Sequence, residues 1–197
     1  MSDNSTYTSN NGVLYTRTFA MPSPFPLSKN KKVQATILKY ANMLTNGVVI
    51  DPFAASGEIK YKFSNNIEYI SNDLNRKYNC DYNTDFIEFL NIFPRHILYK
   101  ELLIISDPPY SPKQLKKLYD DIGKKWDGQS LAPKVVKEVI RIQPRFYISL
   151  GWNTAGPKDS YRLLEIIQFY HGGGRNDTTL AVWELAQTDL FNYNLSF

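Results

Sequence analysis

Short apolar runs alternate with stretches of helical periodicity along this chain, and the alternation predicts an α/β protein. Val33, Ile37, Ala41 and Leu44 recur at three- and four-residue spacing, which predicts a helix over residues 30–45. The apolar runs are too short for helices and are rich in β-branched residues, so they predict buried strands. The first three of these runs are 48–50, 66–71 and 102–106.

A second set of elements follows in the C-terminal half. Further helices are predicted over 113–119 and 135–142, a strand over 145–150, a helix passing into a strand over 160–170, a glycine-rich turn at 171–177 and a returning antiparallel strand over 178–185. Strands alternating with helices imply a parallel sheet with right-handed crossovers, finished here by an antiparallel hairpin. The predicted organisation is a flexible arm over 1–16, one domain over 17–187 and a tail over 188–197.

An aspartate follows each of the first three predicted strands. These residues are Asp51, Asp73 and Asp107. Because ligands bind beyond the carboxyl ends of parallel strands, the three carboxylates are expected to meet at one binding edge. The residues after Asp51 are small, and small residues let the backbone approach a ligand closely. The sequence therefore predicts a ligand site rather than a purely structural edge.

Two of the acidic positions have more specific interpretations. An acid at the end of the second strand of a nucleotide-binding fold accepts both ribose hydroxyls, and Asp73 is placed for that role. Asp85 stands at the start of the helix that begins with Phe86, where a capping role is the commoner use of an aspartate.

The most informative stretch is Asp107-Pro108-Pro109-Tyr110, directly after the third strand. Proline fixes φ and has no N–H, so the turn is rigid, with outward carbonyls and an aromatic ring beside them. An amine on a planar heterocycle is a poor nucleophile, because its lone pair is delocalised into the ring. Two acceptors can draw its hydrogens out of plane and free the lone pair. The alternative is a Pro-Pro turn that closes a strand with an incidental acid.

Composition limits the classes of protein and of site that this sequence is expected to form. The chain has 197 residues, a net charge of +4, a single cysteine at Cys80 and two isolated histidines. A lone cysteine suits a reducing compartment, and we expect a cytoplasmic protein with no metal site. No run approaches the ~20 apolar residues of a membrane span, and the polar N-terminus does not resemble a secretory signal.

Basic residues gather after the Asp-Pro-Pro-Tyr turn, followed by a tryptophan. They are Lys113, Lys116, Lys117, Lys124, Lys125 and Trp126. One interpretation is a solvated helix face and loop. The other is a phosphate-binding patch with an aromatic side chain that supports the substrate strand.

Several short sequence motifs together identify a family resemblance. They are Ala-Met-Pro (20–22), Asp-Pro-Phe-Ala (51–54), Asn-Asp-Leu-Asn (72–75), Asp-Tyr-x-x-Asp (81–85), Asp-Pro-Pro-Tyr-Ser-Pro (107–112), Gly-Trp-Asn (151–153), His-Gly-Gly (171–173) and Asn-Asp-Thr (176–178). Over about residues 19–184 the chain resembles phage-type adenine-specific DNA methyltransferases that use S-adenosylmethionine. The resemblance implies a Rossmann-like class I methyltransferase fold and methylation of the exocyclic N6 amine of adenine in DNA.

The resemblance also assigns the site. It implies a catalytic turn of Asp107, Pro108, Pro109 and Tyr110, and cofactor contacts from Met21, Pro22, Asp51, Pro52, Phe53, Ala54, Ser56, Gly57, Asp73, Leu74, Asp85 and Asp107. The segment from Asp51 to Gly57 would surround the methionine part, Asp73 the ribose and Asp85 the cofactor adenine.

This sequence departs from the family pattern in two ways. Ala55 stands where glycine is expected, which narrows the space for the cofactor. We expect no separate target-recognition domain of the kind that larger relatives have, so we expect specificity to be low or to come from a partner subunit or a second copy of the chain. The alternatives are an RNA amino-methyltransferase, a cofactor-binding protein whose catalytic site has decayed, and an accessory protein that works through protein contacts.

Overall fold

The computed structural model describes residues 5–19, 30–92, 100–109, 112–123, 131–154, 156–171 and 177–186. The strands are β1 (Ser5–Thr8), β2 (Leu14–Phe19), β3 (Val48–Asp51), β4 (Glu68–Ser71), β5 (Leu102–Ser106), β6 (Phe146–Gly151), β7 (Tyr161–Tyr170) and β8 (Thr178–Leu185). The α-helices are α1 (Lys31–Ala41), α2 (Phe86–Asn91), α3 (Pro112–Tyr119) and α4 (Leu131–Ile142).

The strands form one mixed sheet in the order β1-β2-β7-β8-β6-β5-β3-β4. Six strands run in the same direction, whereas β8 is antiparallel to both of its neighbours and β1 is antiparallel to β2. The predicted α/β fold is thus confirmed, with its mostly parallel sheet and the β7–β8 antiparallel hairpin. The chain leaves β3 for β4 on one side and returns to β5 on the other, which makes β3 and β5 a topological switch point.

Each face of the sheet carries its own apolar cluster. Val33 and Ile37 of α1 pack on the side of Val49 and Leu103. On the other face, α2 and α4 cover the strand side chains that alternate with those of the first cluster, and Val135 is fully buried there. Residues of β3 and β5 contribute to both clusters because successive side chains point to opposite faces. Burial on both faces explains why these strands appear as continuous apolar runs.

The predicted helix at the start of 160–170 is wrong, since the whole segment from Tyr161 to Tyr170 is strand β7. Glu165, Ile167 and Phe169 are buried with half-buried residues between them, a period-two pattern that is interrupted by an irregularity near Leu163. Pairing with β2 on one side and β8 on the other decides the conformation.

The arm predicted over 1–16 contains strand structure in the part that the structure describes. Residues 5–8 form β1, and the first residues of β2 already pair with β7 in parallel register, from Leu14 with Glu165 to Phe19 with Tyr170. This segment is mostly polar and its apolar run, Val13-Leu14-Tyr15, is short, so the backbone pairing left little sign in the sequence.

Smaller differences concern boundaries. The first helix ends at Ala41, and Asn30 caps its start by accepting hydrogen bonds from Lys32 N and Val33 N. The chain after Gly57 forms a 3₁₀ helix, Glu58–Lys62. Among the described residues, no helix has both the length and the apolar character that crossing a bilayer requires.

Candidate functional site

The three predicted aspartates lie at the carboxyl edge of the sheet, as expected. Asp51 is the last residue of β3, Asp73 follows β4, and Asp107 directly follows β5. The charges of Asp107 and Asp73 both act on the carboxyl group of Asp51, which places the three groups in one electrostatic neighbourhood.

Asp51 is almost completely buried. Its Oδ2 accepts a hydrogen bond from the Tyr69 hydroxyl at 2.9 Å, and its Oδ1 accepts one from Phe53 N at 3.2 Å. Burial raises the pKa of Asp51 to about 7 against these two bonds, and the neighbouring charges of Asp107 and Asp73 contribute in the same direction. The site edge therefore holds a carboxyl group that titrates near neutral pH.

This raised pKa predicts a specific pH dependence of stability. The folded state binds the proton more tightly than the unfolded state, whose pKa is 3.8. The contribution of Asp51 is therefore fully present below about pH 4 and is lost as the pH rises to about 7. Asp51→Asn stays neutral, so its free energy of unfolding relative to wild type should rise between pH 4 and 7, by of the order of 4 kcal/mol at most. Urea denaturation at a series of pH values measures this difference.

Asp120→Asn is the control, because Asp120 is an exposed acid in the turn that follows α3. Its stability difference from wild type should stay nearly constant over the same pH range. Parallel profiles for Asp51→Asn and wild type would show that the folded and unfolded states bind the Asp51 proton equally.

The loop after Asp51 has a conformation that explains its small residues. Ala55 has a φ of 46° and Gly57 a φ of 58°, both in the left-handed region. The loop is held by Ala54 N, which donates to the Asn72 carbonyl at 2.9 Å, and by Ala55 N, which donates to Asp73 Oδ2 at 3.1 Å. The glycine that the family pattern has at position 55 would suit this backbone, whereas alanine is strained there.

Ala55→Gly is accordingly expected to stabilise the protein. Removing the side chain relieves about 1–2 kcal/mol of left-handed strain and costs about 0.4–1 kcal/mol through the unfolded chain, so the net gain is up to about 1.6 kcal/mol. Chemical denaturation measures it. Ala54→Gly is the matched control: Ala54 is buried and is not among the positive-φ residues, so glycine there should destabilise. Equal losses in both variants would contradict the strain at Ala55.

Asp73 is buried and already engaged by the protein. Its Oδ1 accepts a hydrogen bond from Asn75 N at 2.9 Å, while its Oδ2 accepts from Ala55 N and, at 3.4 Å, from the Tyr119 hydroxyl. Burial raises the pKa of Asp73, and these hydrogen bonds oppose the rise. Asp73 thus ties the loop and α3 to β4, and a ribose would have to share this carboxylate with Tyr119.

Asn72 is a structural residue whose role the sequence analysis missed. Its fully buried amide donates to the carbonyls of Pro52 and Thr84, both at 3.1 Å, and its Oδ1 accepts from Thr84 N. It thereby joins three loops at the carboxyl edge. Asn72 belongs to the Asn-Asp-Leu-Asn motif, which indicated that it matters. The motif alone did not show whether its amide has a structural role or contacts a ligand.

One pocket opens at this edge beside Asp73. It encloses about 370 Å³ when the space in its open mouth is included. Its walls are Pro52, Phe53, Asn72, Leu74, Thr84, Asp85, Phe86, Pro109, Leu115, Tyr119 and Leu131. The rings of Phe53 and Phe86 lie 5.3 Å apart at 39°. Apolar walls with few polar groups suit a planar heterocycle.

The pocket brings together some of the predicted cofactor residues and adds others. Pro52, Phe53, Leu74 and Asp85 line it, together with Pro109 of the predicted catalytic turn. Leu115 and Tyr119 show that α3 forms one wall, which the sequence analysis did not anticipate. Asp85 caps α2 by accepting from Ile87 N at 3.0 Å, so it occupies the capping position as well as the pocket lining.

The other predicted residues have varied positions. Ala54 is buried in the loop, whereas Ser56 is exposed. Lys113, Lys116 and Lys117 lie exposed along α3. The predictions for Met21, Pro22, Tyr110, Lys124, Lys125 and Trp126 fall outside the described residues.

Trp152 is a further aromatic residue at this edge. It follows β6, the neighbour of β5, and 52% of its side chain is exposed.

In the described part of the chain, no group of three or more His, Cys, Asp or Glu residues is arranged to hold a metal ion.

Comparison with known proteins finds no matching family model and no matching curated sequence. Among solved structures, the N-methyltransferase NodS from Bradyrhizobium japonicum WM9 is 12% identical with a TM-score of 0.47, over 81% of this chain and 99% of that chain. NodS in complex with S-adenosyl-l-homocysteine gives 14% and 0.44, over 85% and 94%. The putative methyltransferase yhhF from Escherichia coli gives 13% and 0.43, over 92% and 98%. Such distant likenesses carry no argument about activity, which has to come from the site itself.

Proposed function

We propose that this protein transfers a methyl group from S-adenosylmethionine to the exocyclic N6 amine of adenine in DNA. The observation that supports this most is the continuity of the pocket with the Asp-Pro-Pro turn. Pro109 lines the same pocket as Phe53 and Leu74, and Asp107 precedes it by two residues. A ligand in the pocket would lie next to the group that has to hold the acceptor amine.

The residues of the site fit this cofactor. Phe53, Leu74 and Phe86 offer apolar surface for its adenine, and the Asp85 carboxylate lines the same space. We assign Asp73 to the ribose. A ribose hydroxyl would then replace the Tyr119 hydroxyl as a hydrogen-bond donor to Asp73 Oδ2. Asp51 and the following loop would hold the methionine part. The cofactor supplies an electrophilic methyl group on its sulfonium when bound.

The chain's own contribution to the chemistry is to hold the amine. We assign the two acceptors to the Asp107 carboxylate and the Pro108 carbonyl. These acceptors would draw the amine hydrogens out of the plane of the base and free its lone pair for the methyl group that the bound cofactor would supply, and the Asp107 carboxylate would take the proton that the methylated amine loses. Holding the amine in one position would provide much of the rate, because proximity and orientation replace a bimolecular encounter.

The assignment of DNA as substrate is supported by charge. Exposed lysines run along α3, whose buried residues Leu115 and Tyr119 line the pocket on the opposite side. Phosphates bound by this helix would bring a nucleotide to the pocket mouth. A duplex adenine must then be flipped out at a free-energy cost of a few kcal/mol, which stacking on Tyr110 would offset in part.

The test has two stages. Calorimetry with S-adenosylhomocysteine first establishes whether the cofactor binds. Transfer of labelled methyl from S-adenosylmethionine to duplex DNA, single-stranded DNA and RNA of one sequence then identifies the polymer, and hydrolysis to nucleosides identifies the amine. We expect binding and N6-methyladenine in DNA.

Other outcomes separate the alternatives. Label in RNA, or on guanine, would replace the DNA assignment with RNA amino-methylation. Cofactor binding without transfer would favour a decayed site, for which the strained Ala55 is the structural argument. Absence of binding by the folded protein would overturn the proposal and favour an accessory protein.

A further inference from the structure

We propose that one face of the outer strands β1, β2 and β7 is a stacking surface for single-stranded nucleic acid leading to the candidate site. We call this surface the aromatic face. It consists of Tyr7, Tyr15, Arg17, Phe19 and Tyr170. The inference rests on the proposed function, because it assigns a path for the substrate strand of that same site.

Strand geometry places these residues on one side of the sheet. Tyr15, Arg17 and Phe19 alternate along β2, so they share a face. Tyr7 lies opposite Tyr15 in the antiparallel register, and the two rings are parallel within 6° at 5.0 Å. The Arg17 guanidinium carbon lies 3.4 Å from the centre of the Tyr170 ring.

Two aromatic residues of the face are well exposed to solvent. Tyr7 is 61% exposed and Phe19 is 53% exposed, whereas Tyr15 and Tyr170 are half-buried. In contrast, Thr16 and Phe169, which point the other way from β2 and β7, are buried on the α1 side. The stacked pair contributes to holding β1 on β2, but that role does not require Phe19 to remain exposed.

The polarity of the strands directs this face toward the site. Because β2 and β7 run parallel to β3 and β5, Phe19 and Tyr170 lie at the same carboxyl edge as Asp107. Four strand spacings separate β2 from β5, which is about 19 Å at ~4.8 Å per strand. A single strand a few nucleotides long can span that distance.

The chemistry of the face favours nucleic acid as its occupant. Surfaces that bind single strands combine aromatic rings, on which successive bases stack, with cations for the backbone. Here, flat tyrosines are followed by an arginine stacked on a ring, on a chain with a net charge of +4. Arg17 pairs in register with Gln168, so the residue directly opposite on β7 is uncharged.

The experiment measures the affinity of the full chain for fluorescein-labelled 12-mers of single-stranded DNA and RNA by anisotropy. Tyr7→Thr/Tyr15→Thr removes both rings while keeping residues that favour strands. We expect a loss of affinity of about 5- to 140-fold, the contribution of one stacked base. Tyr7→Phe/Tyr15→Phe retains the rings and should bind within about twofold of wild type. Arg17→Gln should reduce the slope of log affinity against log salt concentration by about 0.7.

Tyr61→Thr is the matched control, since Tyr61 is 79% exposed in the 3₁₀ helix that precedes β4, beyond the other end of the sheet. Its affinity should equal that of wild type. Tyr7→Thr alone, at the exposed edge strand, keeps the test valid if the double variant fails to fold, and circular dichroism and thermal melting check each variant.

The outcomes distinguish this inference from the proposed function. Equal affinities for wild type and the ring-deleted variants would overturn the aromatic face even if methyl transfer is observed. Failure of wild type to bind either polymer would overturn it too. A ring-dependent self-association seen by light scattering, without binding of oligonucleotides, would assign the face to a second copy of the chain instead. Loss of transfer in Asp107→Ala with unchanged oligonucleotide affinity would leave both proposals standing.

Discussion

Asp107→Ala is expected to reduce methyl transfer by at least about 10²-fold while changing cofactor affinity only a few fold. The carboxylate acts on the acceptor amine and not on the sulfonium, so its loss is felt in the transition state. Removal of one preorganised polar group that meets developing charge typically costs 10²–10³ in rate. Single-turnover methylation with saturating cofactor measures the rate, and calorimetry with S-adenosylhomocysteine measures the affinity.

Two variants sharpen this experiment. Asp107→Asn keeps one acceptor oxygen in place of the carboxylate and should retain more activity than Asp107→Ala. Asp120→Ala removes an exposed acid from the turn after α3 and should leave the rate unchanged. Full activity of Asp107→Ala would show that another group accepts the amine hydrogens. A large loss of cofactor affinity would instead place Asp107 at the cofactor.

The second large effect concerns α3. Replacing Lys113, Lys116 and Lys117 with glutamine should flatten the dependence of log affinity on log salt by up to ~2.7, since each phosphate contact contributes about 0.9. Between 50 and 200 mM salt, the loss of affinity would then be smaller than that of wild type by up to about 40-fold. Binding should weaken on all sequences alike, because phosphate contacts carry no sequence information. Anisotropy with a duplex at several salt concentrations measures this.

Lys137→Gln is the control for the loss of one positive charge, because Lys137 is exposed near the middle of α4. It should change the slope by much less than the ~0.9 that one phosphate contact contributes. An unchanged slope in the α3 variant would place the DNA surface elsewhere, and the aromatic face would then be the first alternative within the described residues.

The central strands were predictable because their burial on two faces leaves continuous β-branched runs. The aspartates that end them were predictable as a group for a different reason, since parallel strands bring all their carboxyl ends to one edge. The rigidity of Asp107-Pro108-Pro109 stays a prediction that rests on the sequence, because proline fixes its own φ.

Strand β7 and the β1–β2 pair could not be predicted in this way. Each has one side chain pattern that is compatible with several structures, and its conformation depends on backbone pairing with segments far away in the chain. Leu14 pairs with Glu165, for example. Such pairing is carried by N–H and C=O groups, which are the same in every residue except proline.

The amino-acid sequence by itself determined strands β3 to β6, helices α1 to α4, and the common edge of Asp51, Asp73 and Asp107. Only the tertiary structure decided what each carboxylate contacts. Asp73 turned out to bind Ala55 N and the Tyr119 hydroxyl, and α3 turned out to form a wall of the pocket. Residue type sets the capacity of a side chain for hydrogen bonds, whereas the partners come from distant segments whose approach depends on packing of the whole chain.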